Sequence, residues 1–213
     1  MTITSALRAL VPGVLVPALM GHAGGWAVIT IDDLPDYAIA GKPLTLTYTV
    51  RQHGRNLLSD LLGSIEASTG RQSTTGSVTS GAPGRYTARI TLPDTGNWSI
   101  TVRSGFGPSD VTLMPLTAVR VGGRLTTTVS ETDRGRRLFI AKGCITCHEQ
   151  IDVGPRLDGK RFDVAYISRF LANPPDTASR RGQSPMPNLG LQPTEIAALV
   201  GYLNSDRRVS QRR

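Results

Sequence analysis

Cys144 and Cys147 are the only cysteines in the 213-residue chain, and His148 follows them at once in Cys144-Ile-Thr-Cys147-His148. A disulfide across so short a loop adds little stability, because the entropy removed by a cross-link grows with the loop it closes. The cluster therefore reads as redox, metal or haem chemistry. A thioredoxin-like pair would follow a strand in a βαβ unit, and no such pattern precedes Cys144. A structural zinc site would need two more ligands nearby. The other histidines, His22 and His53, lie far upstream. What remains is the C-x-x-C-H pattern of covalent haem attachment. Two thiols at this spacing add across the two vinyl groups, and the next residue sets an imidazole beneath the iron. The cofactor expected is one covalently attached haem c with its iron. Cys144 and Cys147 hold it, and His148 is the proximal ligand.

These residues need helices to position them, and the flanking sequence has helical period. Thr132 to Lys142 reads as a helix running into Gly143. Phe162 to Ala172 is a second, stopped by Asn173-Pro174-Pro175. Thr194 to Asn204 is a third, with Thr194 as N-cap, Glu195 in its first turn, and Ile196, Leu199, Val200 and Leu203 as its buried stripe. About seventy-five residues form a marginal core alone, so a buried haem would supply missing apolar volume.

Upstream the period changes to two. Trp26 to Ile31, Leu44 to Val50, Tyr86 to Leu92, Trp98 to Val102 and Val111 to Met114 read as strands, with threonines alternating against aliphatic residues. Turn residues fall between them at Gly41-Lys42-Pro43, Ala82-Pro83-Gly84 and Pro93-Asp94-Thr95-Gly96. The Ser/Thr/Gly-rich stretch from Gly70 to Gly84 reads as a mobile loop. Residues 24–121 thus predict an antiparallel β-sandwich, and 122–130, with Gly122-Gly123 and Thr126-Thr127-Thr128, a linker.

The formal net charge is +8. Residues 24–121 hold 8 basic and 7 acidic side chains, and residues 131–213 hold 14 and 9. No basic stripe is interleaved with aromatics, which argues against nucleic acid. Docking to an acidic redox partner protein is the simpler use of the balance. Arg136-Arg137 and Arg180-Arg181 read as solvated surface. The hydrophobic fraction of 39% is too low for a polytopic membrane protein.

Residues 1–23 carry Arg8, an apolar run from Ala9 to Met20, and then Gly21-His22-Ala23, the pattern of a secretory signal peptide. An uncleaved anchor is the alternative, since no charged residue occurs from Ala9 to Ile31. Either way the chain faces the periplasm or another extracytoplasmic compartment. Membrane association would run through the N-terminus or a partner complex. Cleavage before His22 would instead expose a copper-binding N-terminal histidine to pair with His53, but Leu19 disfavours cleavage there.

Two resemblances add to this reading. The segment Pro83-Gly-Arg-Tyr-Thr-Ala-Arg-Ile-Thr-Leu-Pro-Asp-Thr-Gly-Asn-Trp-Ser-Ile-Thr-Val102 resembles the small immunoglobulin-like modules of the YtkA and FixH type, which implies a binding or scaffolding module. From Thr132 to Leu203 the chain resembles class I cytochromes c. That resemblance rests on Gly135 with Phe139 before Cys144, Gly154-Pro155 after His148, Met186 in Ser184-Pro-Met-Pro187, and Tyr202 in Leu199-Val-Gly-Tyr-Leu203. It implies that the Met186 sulfur is the distal ligand, so that His148 and Met186 are the metal ligands. It implies that the Pro155 carbonyl accepts a hydrogen bond from the His148 nitrogen not bound to iron. Gly135 would let the first and last helices cross closely, with Phe139 and Tyr202 at the crossing. Met186, held between two prolines, has no helix face to pack, unlike a gap-filling core methionine.

The fold class expected is therefore an N-terminal immunoglobulin-like antiparallel β-sandwich followed by an all-α class I cytochrome c domain at 131–206, with a basic tail at 207–213. His/Met ligation leaves no open position on the iron, so no catalytic residue is expected. The expected function is single-electron transfer in the cell envelope between redox partner proteins. The alternative is a haem-bearing accessory subunit of an oxidase, photosynthetic or copper-enzyme complex, docked by its β module.

Overall fold

The computed structural model describes residues 25–125, 129–175 and 185–205. The signal segment, the expected N-terminus at Gly24, the threonines of the linker, Arg180-Arg181, Ser184 and the basic tail lie outside the described residues.

Eleven strands form two sheets: β1 (Ala27–Ile31), β2 (Ala38–Ile39), β3 (Pro43–Gln52), β4 (Asn56–Leu57), β5 (Ser64–Ser68), β6 (Ser73–Thr75), β7 (Ser77–Ser80), β8 (Arg85–Thr91), β9 (Gly96–Arg103), β10 (Asp110–Thr112) and β11 (Leu116–Val119). One sheet runs β1-β3-β8-β7 with β4 on β3. The other runs β2-β11-β9-β5-β6 with β10 on β9. The β11–β2 pair is parallel, so the sandwich is not wholly antiparallel as expected. Alternation explains the layers. Leu44, Leu46, Tyr48 and Val50 of β3, Tyr86, Ala88 and Ile90 of β8, and Trp98, Ile100 and Val102 of β9 all turn into one core. Full burial of each large apolar side chain contributes roughly 1.5–3 kcal/mol.

The stretch from Gly70 to Gly84, expected as a loop, contains β6 and β7. These strands are three and four residues long and made of serine and threonine around Val78. Without an apolar face they leave no period-two mark in the sequence. They are held by pairing with β5 and β8 instead.

The helical part comprises α1 (Glu131–Ala141), a π-helical turn (Thr146–Gln150), α2 (Val164–Ala172) and α3 (Pro193–Leu203). Ser130 caps α1, its hydroxyl accepting from the Asp133 N–H at 3.1 Å, and Asp163 caps α2, accepting from Tyr166 N–H at 2.7 Å. Thr194 was the expected cap of the last helix. The helix starts earlier, with Gln192 as N-cap and Pro193 in its first turn, and the Gln192 N–H donates to Glu195 Oε2 at 2.9 Å.

The two sheets are roughly compatible with the expected immunoglobulin-like sandwich, but the all-α class I cytochrome c domain expected after it is corrected here. Eleven strands in two sheets dominate the described residues, and the helices are four and short, from five to eleven residues. Nor do the helices keep to themselves. Ala141, at the end of α1, belongs to the sandwich core. Lys142 Nζ donates to the Asp32 carbonyl at 2.7 Å, and Arg137 to the Pro35 carbonyl at 2.9 Å. Every residue of β1 is buried. Gly143 explains how the chain comes so close. Its φ is +76°, and a Cβ there would meet Val28 and lie 2.7 Å from the Ile29 carbonyl oxygen. Both constraints demand glycine.

Candidate functional site

The functional residues read from the sequence converge on one cavity between the helices and the edge of the sandwich. Cys144, Cys147, His148, Pro155 and Met186 all line it. Its volume is about 1270 Å³, counting the part open to solvent. The remaining wall is mostly apolar, with Phe139, Leu157, Phe162, Ile167, Phe170 and Leu199 among its members. A largely apolar wall with a few placed polar groups is the make-up of a ligand site.

Local chemistry places each group. Gly143 ends α1 in a left-handed conformation, and Cys144 follows as the chain turns. The π-helical turn carries Cys147 and His148; such widened turns occur often at functional sites. Beyond it, the Gly154 N–H donates to the Cys147 carbonyl at 2.9 Å and closes the loop. His148 Nδ1 and the Pro155 carbonyl oxygen are 2.8 Å apart. A carbonyl can only accept, so Nδ1 carries a proton, and in the neutral ring the lone pair then falls on Nε2. That tautomer is the metal-binding form of an imidazole. Gly154 makes room for the ring, since a Cβ there would lie 2.9 Å from Nδ1.

Burial pushes the Cys144 thiol up to about 12, with the neighbouring Cys147 adding to the effect. Burial pushes the Cys147 thiol up to about 11. Both are held as neutral thiols at physiological pH and are poor nucleophiles, unlike the thiolate of a redox-active pair.

The helices that frame the cavity cross at Gly135. A side chain there would strike the Ala198 carbonyl and Tyr202. Phe139 and Tyr202 sit at the crossing with ring centroids 5.5 Å apart. Met186 is half-buried between Pro185 and Pro187, packed against the helical core.

Sequence reasoning missed the wall supplied by the sandwich. Val28 of β1 and the pair His53 and Gly54, in the turn between β3 and β4, also line the cavity, as does Lys142. Contacts between residues about a hundred positions apart leave no local pattern. The one available signal was a histidine beside a glycine in a hairpin turn.

No protein-family model matches the chain, and no curated protein matches it. Among solved structures, it is similar to domains 4 and 5 of the S-layer protein SbsC at 21% identity and a TM-score of 0.33, over 43% of this chain and 50% of that one. It is similar to domains 1–6 of SbsC at 22% identity and a TM-score of 0.34, over 46% of this chain and 13% of that one. The C-terminal domain of ZirS matches at 16% identity and a TM-score of 0.29, over 55% of this chain and 87% of that one. The chain thus spans half or less of the SbsC structures. At these scores the solved structures carry no argument about function or location. The resemblance to class I cytochromes c is corrected here, since no family model supports it and the described residues are mostly β-sheet. The expectation of single-electron transfer, and that of a haem-bearing subunit of a redox complex, are corrected with it. Among the described residues no group of three or more His, Cys, Asp or Glu is placed to hold a metal ion. What the described residues do bring together is two neutral thiols, an oriented imidazole and a thioether around one apolar cavity.

Proposed function

We propose that this chain is an extracytoplasmic binding protein whose cavity holds one haem, attached by thioether bonds to Cys144 and Cys147. One observation carries the reading: Cys144, Cys147, His148 and Met186 meet at a single apolar cavity although Met186 lies well downstream in the sequence. The residues fit the group. His148 is held by Pro155 in the tautomer that leaves Nε2 as a donor. Met186 would offer a thioether donor to the group from a loop stiffened by Pro185 and Pro187. A tetrapyrrole brings its own ring of nitrogen donors, so one imidazole and one thioether suffice where a bare ion would need a larger cluster. When bound, the group would supply an iron centre that His148 and Met186 would hold, which suits binding rather than catalysis. Secretion through residues 1–23 would deliver the chain to the periplasm, and the net charge of +8 suits an acidic partner protein.

The test is covalent attachment. The full chain is produced in a host that attaches haem to secreted proteins, then denatured and extracted with acid acetone. The haem should stay with the chain on denaturing electrophoresis. It should be lost when both Cys144→Ala and Cys147→Ala are made. A wild-type chain that surrenders its haem on extraction, or never takes one up, overturns the reading.

A further inference from the structure

The wall of the cavity that the sandwich supplies is held in an unusual conformation. His53 has φ of +52° and Gly54 follows at +73°. A left-handed residue other than glycine is uncommon and persists only where its surroundings hold it. Here they do. The His53 N–H donates to the Trp26 carbonyl at 3.1 Å, and the Trp26 and His53 rings pack with centroids 5.2 Å apart. The Gly54 N–H donates to the Arg51 carbonyl at 3.2 Å, which closes the turn. The turn then meets the methionine loop, because a Cβ on Gly54 would lie 3.8 Å from Pro187 Cδ. His53, Gly54, Met186 and Pro187 line the same cavity.

We propose that the His53–Gly54 turn is a positioning element for the Met186 loop, so that the β-sandwich forms one wall of the binding site and governs access to the Met186 sulfur. This rests on the reading of Met186 as a ligand donor, but it is tested without haem. Trp26 packs on His53, Gly54 backs Pro187, and Pro187 adjoins Met186 on the cavity wall. The β body thereby acts on the Met186 loop through this turn.

The experiment is peroxide oxidation of the full chain free of haem, with the rate at Met186 read from its peptide by mass spectrometry. Met114, in the sandwich part of the chain, is the internal reference. The variant is His53→Gly, because glycine adopts this conformation freely and leaves the turn intact. The expected result is sulfoxide formation at Met186 several-fold faster than in wild type, with Met114 and Tm unchanged. In the haem-loaded chain, added imidazole should displace the Met186 sulfur at a lower concentration. Equal oxidation rates at Met186 overturn the proposal. If His53→Gly lowers Tm, His53→Asn replaces it, since asparagine also tolerates a left-handed backbone, and the same criterion decides. A chain that takes up no haem but shows the oxidation difference sinks the cofactor reading alone. A chain that takes up haem with no oxidation difference sinks this proposal alone.

Discussion

Lys142 Nζ lies 2.8 Å from Glu195 Oε1 with both side chains largely withdrawn from solvent. Glu195 also accepts the Gln192 N–H at the start of α3, and Lys142 also donates to the Asp32 carbonyl beyond β1. One ion pair thus ties the end of α1, the start of α3 and the sandwich together. Removing one partner from a buried pair strands the other charge, which costs more than the pair contributes. Lys142→Met should therefore destabilise the protein by about 3 kcal/mol, and Lys142→Met with Glu195→Gln by less than the single change. Chemical denaturation of the two variants and wild type checks this; equal stability of all three would show the pair to be idle.

Close helix crossing at Gly135 makes a second prediction. Gly135→Ala puts a methyl group into the Ala198 carbonyl and Tyr202. Forced overpacking costs about 1–3 kcal/mol or more, against a small gain in helix propensity. Tm should fall. A neutral or raised Tm would mean that α1 and α3 slide apart without penalty.

Gly154→Ala should act on the ligand rather than on overall stability. The added carbon would lie 2.9 Å from His148 Nδ1, at the atom that bonds the Pro155 carbonyl. The ring must turn, so haem uptake should drop while the sandwich stays folded. Far-ultraviolet circular dichroism and haem content, measured on the same sample, separate the two effects.

The raised thiols predict a pH dependence for the haem-free chain. Cys144 and Cys147 titrate near 12 and 11 when folded, against about 8.5 in an unfolded chain. A raised thiol pKa means that the folded state prefers the proton. The associated stability is complete below about pH 8.5 and is lost as pH rises toward the folded values. Denaturation midpoints should fall from about pH 8.5 upward, and less so in Cys144→Ser with Cys147→Ser. Alkylation of the folded thiols should still be accelerating at pH values where a free cysteine has levelled off.

Met186→Ala should leave the haem attached through Cys144, Cys147 and His148. It should remove the weak sulfur-to-iron band at the red end of the oxidised spectrum and allow carbon monoxide to bind. Visible spectra of wild type and variant in both oxidation states decide the matter; identical spectra would reduce Met186 to a packing residue.

Much of the framework is written locally. In β3 and β9, apolar residues at every second position face one core, and that period can be read without knowing the partner strand. The end of the helix Val164–Ala172 at Asn173-Pro174-Pro175 was visible in sequence, whereas its start, expected at Phe162, lies after the Asp163 cap. The polar strands β6 and β7 were not legible, because pairing rather than burial holds them. The same divide runs through the site. The Cys144-to-His148 cluster announces its chemistry by spacing. Val28 and His53 join the cavity only because the chain returns to them much later, and their own neighbours say nothing of it.

The burial of β1 has a consequence for how the chain is made. This strand pairs with β3 on one side only, and its open flank is covered by a segment that arrives late: Thr30 and Lys142 are 112 positions apart. At synthesis rates of about 5–20 residues per second, the interval between them is on the order of ten seconds. Through that time β1, whose Ala27 N–H is met by Ser109 Oγ, lacks its helical cover, and the apolar strand beyond Ala27 is open to a neighbouring chain. The helical segment is thus also the last-made shutter over this edge of the sandwich, and a chain truncated before Lys142 would be prone to aggregate even with its eleven strands complete.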